Sequence, residues 1–184
     1  TDAFHLKTVH VDYKDKKNIK CDIAYGGNFY GIIKAEDLGL ALDVGESEKI
    51  VATAMEIRDE INRQHEIRHP DFPFIDKMTH MELYEQGDIT KNAVVVPPGG
   101  IDRSPCGTGT CAKVSTLHKE GVLGLNEAFI HQSITGSEFR AHLLSTREEK
   151  GISYNRISIT GSAWIMGRHD LYLDEDDPLN DGYL

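Results

Sequence analysis

Basic residues are scarce in this chain of 184 residues. Twenty Lys and Arg stand against thirty Asp and Glu, for a formal charge of -10. That balance argues against nucleic acid or an anionic membrane as partner, since both are held by positive charge. No apolar run approaches the length of a membrane span, and Thr1 to His10 carries no basic-then-apolar signal segment. Cysteine is sparse as well. Cys21, Cys106 and Cys111 form an odd set, too few for a disulfide framework and in keeping with reduced thiols in a cytoplasmic protein. Low-complexity segments and linkers are also lacking, so one domain over residues 1–184 is expected. Its 39% hydrophobic and 27% charged residues suit a globular chain with one sizeable core.

What is present centres on Asp102 to Lys113, Asp-Arg-Ser-Pro-Cys-Gly-Thr-Gly-Thr-Cys-Ala-Lys. Ser104 suits an N-cap and Pro105 a first helical position, with helix running through Ala112 to His118 and stopping near Gly121. Cys106 then falls in the first turn, where unpaired N–H groups and the helix dipole favour a thiolate. Such sites lower a thiol pKa from about 8.5 to roughly 3.5–7.5. Gly107 and Gly109 leave the amides unshielded, so a carboxylate could sit on the N–H groups of Gly107 and Thr108 beside the sulfur.

Along the rest of the chain, Val9 to Tyr13 alternates as a strand and turns over Lys14 to Asn18 into a second, Cys21 to Ile33. A glycine pair, Gly26-Gly27, interrupts it, as a packing kink or a close backbone approach. Cys21 reads as a small core residue. Ser47 to about Ile67 is an amphipathic helix capped by Ser47, with Ile50, Val51, Ala54, Met55, Ile57 and Ile61 inward. His65 and His69 stand at metal-ligand spacing, but Pro70 and the lack of a third ligand favour solvated helix-end histidines. Strands are expected at Lys77 to Tyr84 and Asn92 to Val96. After the central helix they follow at Ala128 to Ile134, Glu138 to Leu144, Ile152 to Ile159 and Ala163 to Leu173. The spacing suits an antiparallel sheet around a helix rich in small residues.

Asp102-Arg-Ser-Pro-Cys-Gly-Thr-Gly-Thr110 resembles the second catalytic-cysteine motif of the proline racemase family, which includes hydroxyproline 2-epimerases and trans-3-hydroxyproline dehydratases. Asp22-Ile-Ala-Tyr-Gly-Gly-Asn-Phe-Tyr30 resembles its glycine-centred strand. Ile159-Thr-Gly-Ser-Ala-Trp164 and Asp176-Asp-Pro-Leu-Asn-Asp-Gly-Tyr183 resemble its C-terminal end. The resemblance implies an α+β, diaminopimelate epimerase-like fold, in which each of two halves is a curved sheet around a central helix. It implies a cofactor-independent inversion at Cα of a cyclic imino acid by two cysteines on opposite faces. Cys106 matches one of these, Asp102 the position that binds the substrate ammonium, and Gly107 and Thr108 the carboxylate-binding amides. His80, in a His-x-Glu-Leu context, is similar to a substrate-binding histidine of the hydroxyproline epimerases.

The family's Met-Cys-Gly-His motif, with the first catalytic cysteine, does not occur in this chain. The resemblance therefore implies the second half of such an enzyme, incomplete alone and needing the N-terminal half as partner. Cysteine at position 106 argues against a dehydratase, which carries threonine there. Val96, in place of the phenylalanine ten residues before the cysteine in proline racemases, favours 4-hydroxyproline over proline. No cofactor and no metal are expected, and a homodimer is compatible with the sequence. Competing readings are a proline racemase, a non-catalytic small-ligand domain, and a zinc module on Cys106, Cys111 and a histidine, disfavoured by its Cys-x4-Cys spacing.

Overall fold

The computed structural model describes residues 2–182; Tyr183, the last residue of the C-terminal motif, lies outside the described residues. Nine strands make one sheet in the order β1-β2-β3-β4-β5-β7-β8-β9, with the short β6 paired to β5. They are β1 (Phe4–Tyr13), β2 (Lys16–Tyr25), β3 (Phe29–Lys34), β4 (His80–Glu85), β5 (Thr90–Val96), β6 (Gly100–Ile101), β7 (Ala128–Ser133), β8 (Glu138–Glu149) and β9 (Ile152–Thr160). Two α-helices complete the fold among the described residues, α1 (Ser47–Gln64) and α2 (Gly107–Lys119), with short 3-10 turns at Ala35–Leu38 and Val44–Glu46. A bridge from Ala3 to Asn155 brings the two edges of the sheet together, so the sheet curves around α2.

The sheet is mixed where an antiparallel one was expected. β3 pairs β4 in parallel, and so does β5 with β7. Each helix is the crossover of one such pair, because parallel neighbours need a long connection whereas antiparallel ones need only a turn. The period of two sorts the strands cleanly. Cys21, Ile23, Phe29, Ile33, Met81, Leu83, Ala93 and Val95 face α1, whose Ile50, Ala54, Ile57 and Ile61 are buried against them. Each such isoleucine contributes about 1.5–3 kcal/mol by leaving water. The alternate positions, among them Tyr30, Ile32 and Val94, face the α2 side with Cys106 and Ala112.

Helix α2 is thin because it is enclosed. Gly109, Ala112, Ser115 and Thr116 are all buried, and the hydroxyls of Ser115 and Thr116 bond back to the carbonyls of Cys111 and Ala112 at 3.0 and 3.1 Å. Cys21 is a fully buried core thiol, as its surroundings in sequence suggested.

Four local expectations need correction. Gly26-Gly27 is the turn of the β2/β3 hairpin and not a break within one strand. A Cβ on Gly26 would lie 2.0 Å from the Thr108 carbonyl oxygen and 2.9 Å from the Ala112 nitrogen, so this glycine seats the start of α2. His69 is not solvated: it is buried among Phe4, Tyr25 and Phe72, and its Nδ1 accepts the N–H groups of Asp71 and Phe72. Helix α1 has Glu46, not Ser47, at its cap position, and it ends at Gln64, before Pro70 could act on it. Finally, Ala163 to Leu173 is not a strand. β9 reaches Thr160 opposite Arg140, and β8 starts only at Glu138, so the chain beyond has no ladder partner despite its alternation. None of the described helices is long and apolar enough to cross a membrane.

Candidate active site

The loop between β6 and α2 carries Asp102 to Cys106 over the α2 side of the sheet. Asp102 Oδ1 accepts the N–H of Ser104 at 2.9 Å and its hydroxyl at 3.0 Å, an Asx turn that closes the loop on itself. Ser104 Oγ in turn accepts the N–H of Cys106 at 3.0 Å. The N-cap is Cys106, not Ser104, and helix begins at Gly107 rather than Pro105. At φ 66° and ψ 119° Cys106 is a non-glycine residue in a conformation that costs of order 1–3 kcal/mol. The cap position leaves the N–H groups of Gly107 and Thr108 without intrahelical acceptors, beside the sulfur.

Cys106 is 8% exposed. Tyr30 Oη lies 3.3 Å from its sulfur and 2.6 Å from Thr108 Oγ1, while the Gly109 N–H also points to the sulfur. Burial pushes the Cys106 thiol above its ordinary range, outweighing Tyr30, Gly109 and Thr108, which pull it down; the Asp102 charge adds to the rise. This reverses the lowered value expected from a helix start alone, and Cys106 rests as a thiol. Desolvation is not visible in a motif.

His80 stands beside this group. The parallel register sets it opposite Tyr30, with the two rings 5.0 Å apart. Its Nδ1 is engaged by the Thr79 hydroxyl at 2.7 Å. Burial and the Arg58 charge lower its pKa, against the pull of Asp102, so the ring is neutral near neutral pH. Val96 packs against the cluster formed by Tyr30, Val94 and Cys106. All five residues expected at the site, Cys106, Asp102, Gly107, Thr108 and His80, therefore belong to one region.

Tyr30 was missed. It lies inside the quoted glycine-centred strand, but only the β3/β4 register shows which way it points. Asn92, Glu82 and His131 were missed too, and a signal existed. They are polar residues within stretches expected to be strands, Asn92 in one expected to be buried on both faces, and each is 0% exposed. Cys111, on the next turn of α2, is half-buried, and burial raises its thiol to about 11. Among the described residues no three His, Cys, Asp or Glu side chains gather in a metal-binding set. A groove of about 710 Å³ runs beside the loop along Arg103, Ser104, Ser137, Phe139 and Trp164 and does not include Cys106.

A curved sheet that encloses one helix and sets a thiol, two helix-start amides and a carboxylate at that helix's N-terminus defines the α+β class of this chain. The matching family model is that of proline racemase, over residues 2–184. Proline racemase of Clostridioides difficile is 39% identical over 96% of this chain and 54% of its own length. A 4-hydroxyproline 2-epimerase of Streptosporangium roseum is 37% identical over 89% and 50%. A hydroxyproline epimerase from Agrobacterium vitis, solved with bound trans-4-hydroxy-L-proline, superposes with a TM-score of 0.87 at 31% identity, over all of this chain and 54% of that one. The chain belongs to the proline racemase family, whose named members are racemases and epimerases. It spans about half the length of these relatives.

Proposed function

We propose that this chain is the half of a 4-hydroxyproline 2-epimerase that carries the second of two proton-transferring thiols. The observation that carries the reading is the placement of the Cys106 sulfur between Tyr30 Oη and the open amides of α2, with Asp102 on the same loop. A bound imino acid would set its carboxylate on the N–H groups of Gly107 and Thr108 and its ammonium on Asp102. That places Cα over Cys106. A thiolate from the other half would take the Cα proton from the far face, and the Cys106 thiol would return one from the near face. In the reverse direction Cys106 is the base, and Tyr30 turns its hydroxyl to donate to the sulfur. A resting thiol, as burial dictates, fits the acid of that pair.

Two features support hydroxyproline over proline. Val96 is smaller than the phenylalanine that would close the pocket on a bare ring, and His80 Nε2 is free to hydrogen-bond a ring hydroxyl. Two others support a partner that completes the site. The groove of about 710 Å³ beside the loop is not lined by Cys106, and Trp164 and Ile165 are 73% and 97% exposed on a segment the family model includes. We assign that apolar segment to contact with the remainder of a family-length chain.

The test is proton NMR of each 4-hydroxyproline epimer and of L- and D-proline in deuterated water. The expected result is Cα–H exchange with a single epimer of 4-hydroxyproline, abolished by Cys106→Ser and without inversion. Inversion by the chain alone would refute the half-site reading, and exchange that survives Cys106→Ser would refute the role of the thiol.

A further inference from the structure

The conformation of Cys106 is unfavourable, so something must hold it. The peptide between Pro105 and Cys106 is gripped at both ends by side chains. Its N–H donates to Ser104 Oγ, and its carbonyl accepts from Asn92 Nδ2 at 2.9 Å and from Thr110 Oγ1 at 3.4 Å. Asn92 and Thr110 are 0% exposed and come from β5 and α2, elements on opposite sides of the loop. Behind them stand two further groups. Thr110 Oγ1 lies 3.0 Å from His131 Nδ1, and His131 Nε2 lies 3.5 Å from Glu82 Oε1. A hydroxyl has one proton. If Thr110 donates it to the Pro105 carbonyl, His131 must carry its proton on Nδ1, which leaves Nε2 bare toward Glu82. Burial holds Glu82 well above the ordinary carboxyl range, against Lys113 and Asn92, and holds His131 below its own. Both are therefore neutral near neutral pH. The Glu82 oxygens, His131 Nε2 and Asn92 Oδ1 make no other bond, and the single proton of a neutral Glu82 can serve one of them, His131 Nε2, the acceptor 3.5 Å away.

We infer that Asn92 and Thr110, backed by His131 and Glu82, are positioning residues that lock the Pro105–Cys106 peptide and so aim the Cys106 thiol at Tyr30 and the substrate side. The network is also tightly packed at Gly109. A Cβ on Gly109, in the turn between them, would lie 3.1 Å from Glu82 Oε2 and 3.3 Å from Cys106 Cβ. The inference rests on the reading of Cys106 as the working thiol, but its test does not depend on turnover.

The test is the rate of iodoacetamide alkylation, mapped separately to Cys106, Cys111 and Cys21 by mass spectrometry, from neutral to alkaline pH. The titratable groups acting on the thiol are Tyr30 and Asp102, with Cys111 one turn along α2; Glu82, under the influence of Lys113 from α2, stands behind Gly109. Thr110→Val keeps the shape and removes the hydroxyl; Asn92→Ala removes the other donor. Either change frees the peptide, and the thiol returns toward its ordinary pKa; one unit of that return raises the neutral-pH rate at Cys106 about tenfold. Cys21, fully buried in the other core layer, keeps its rate, and Thr110→Ser matches the unchanged chain. Unchanged Cys106 rates in both Thr110→Val and Asn92→Ala would overturn the lock. So would acceleration of Cys106 and Cys21 together, which marks general loosening, or acceleration in Thr110→Ser, which marks a lost methyl contact. If Asn92→Ala fails to fold, Thr110→Val and Thr110→Ser decide alone. Cα–H exchange, measured separately, reports on the epimerase reading.

Discussion

The hydroxyl of Tyr30 meets the sulfur of Cys106 at 3.3 Å across 76 residues of sequence, and the hydroxyl of Thr108 at 2.6 Å. One rotating O–H can thus accept from the thiol or donate to the thiolate, and it serves both protonation states without moving a ring. Tyr30 is also fully buried, so its position is set by packing and not by the ligand.

Tyr30→Phe keeps that packing and removes the donor that pulls the thiol down. The pH midpoint for alkylation of Cys106 is expected to rise, and folding stability to fall by about 1 kcal/mol for the lost buried hydrogen bond. A midpoint equal to that of the unchanged chain would show that the hydroxyl does not act on the sulfur.

Gly26→Ala places a methyl group 2.0 Å from the Thr108 carbonyl oxygen, which is backbone and cannot swing aside. The start of α2 must shift. Overpacking of this kind costs about 1–3 kcal/mol or more, read by urea unfolding. The same shift removes Cα–H exchange. Exchange at full rate in a folded Gly26→Ala chain would mean that the amides of Gly107 and Thr108 do not hold the substrate.

Asp22 supplies an acid-side dependence of stability. Burial raises its carboxyl, but bonds from His5, Thr8 and Lys20 outweigh that and bring it down to about 2. A depressed folded value means that the contribution is fully present above the ordinary 3.8 and is lost as pH falls toward about 2. Asp22→Asn is expected to be less stable than the unchanged chain at pH 5, with the difference shrinking through that window. A constant difference would contradict the linkage.

Substrate choice is tested by two changes. Val96→Phe narrows the pocket and should shift exchange from 4-hydroxyproline toward proline. His80→Ala should weaken 4-hydroxyproline and leave proline nearly unchanged, by about 1 kcal/mol for one hydrogen bond. Equal loss for both substrates would move His80 from the ring hydroxyl to a general supporting role.

Trp164, the one tryptophan of the chain, reports on the proposed contact. Its emission should be that of a solvated indole and open to iodide quenching, then shift to shorter wavelength when the first half of a family-length relative is added. No shift under conditions where the two halves restore inversion would place the contact elsewhere.

The sequence by itself determined the elements and the local chemistry. β5, β7 and β9 fall within two residues of where alternation and turns put them, while β1 starts five residues before Val9 and α1 keeps its expected start but ends three residues short of Ile67. The run from Asp102 to Thr108 fixes its own hydrogen bonds because Asx turns and helix caps join residues two to four apart. Tertiary structure alone decided what depends on long-range register and burial. The parallel pairs set Tyr30 beside His80, and Asn92 and His131 beneath Pro105, because strand neighbours far apart in sequence are chosen by how the whole sheet packs around α2. It decided too that the alternating stretch after Ala163 stays unpaired, since a strand exists only where another offers its backbone. Last, it decided that Cys106 rests as a thiol, because desolvation belongs to the space around the sulfur and not to the residues next to it in the chain.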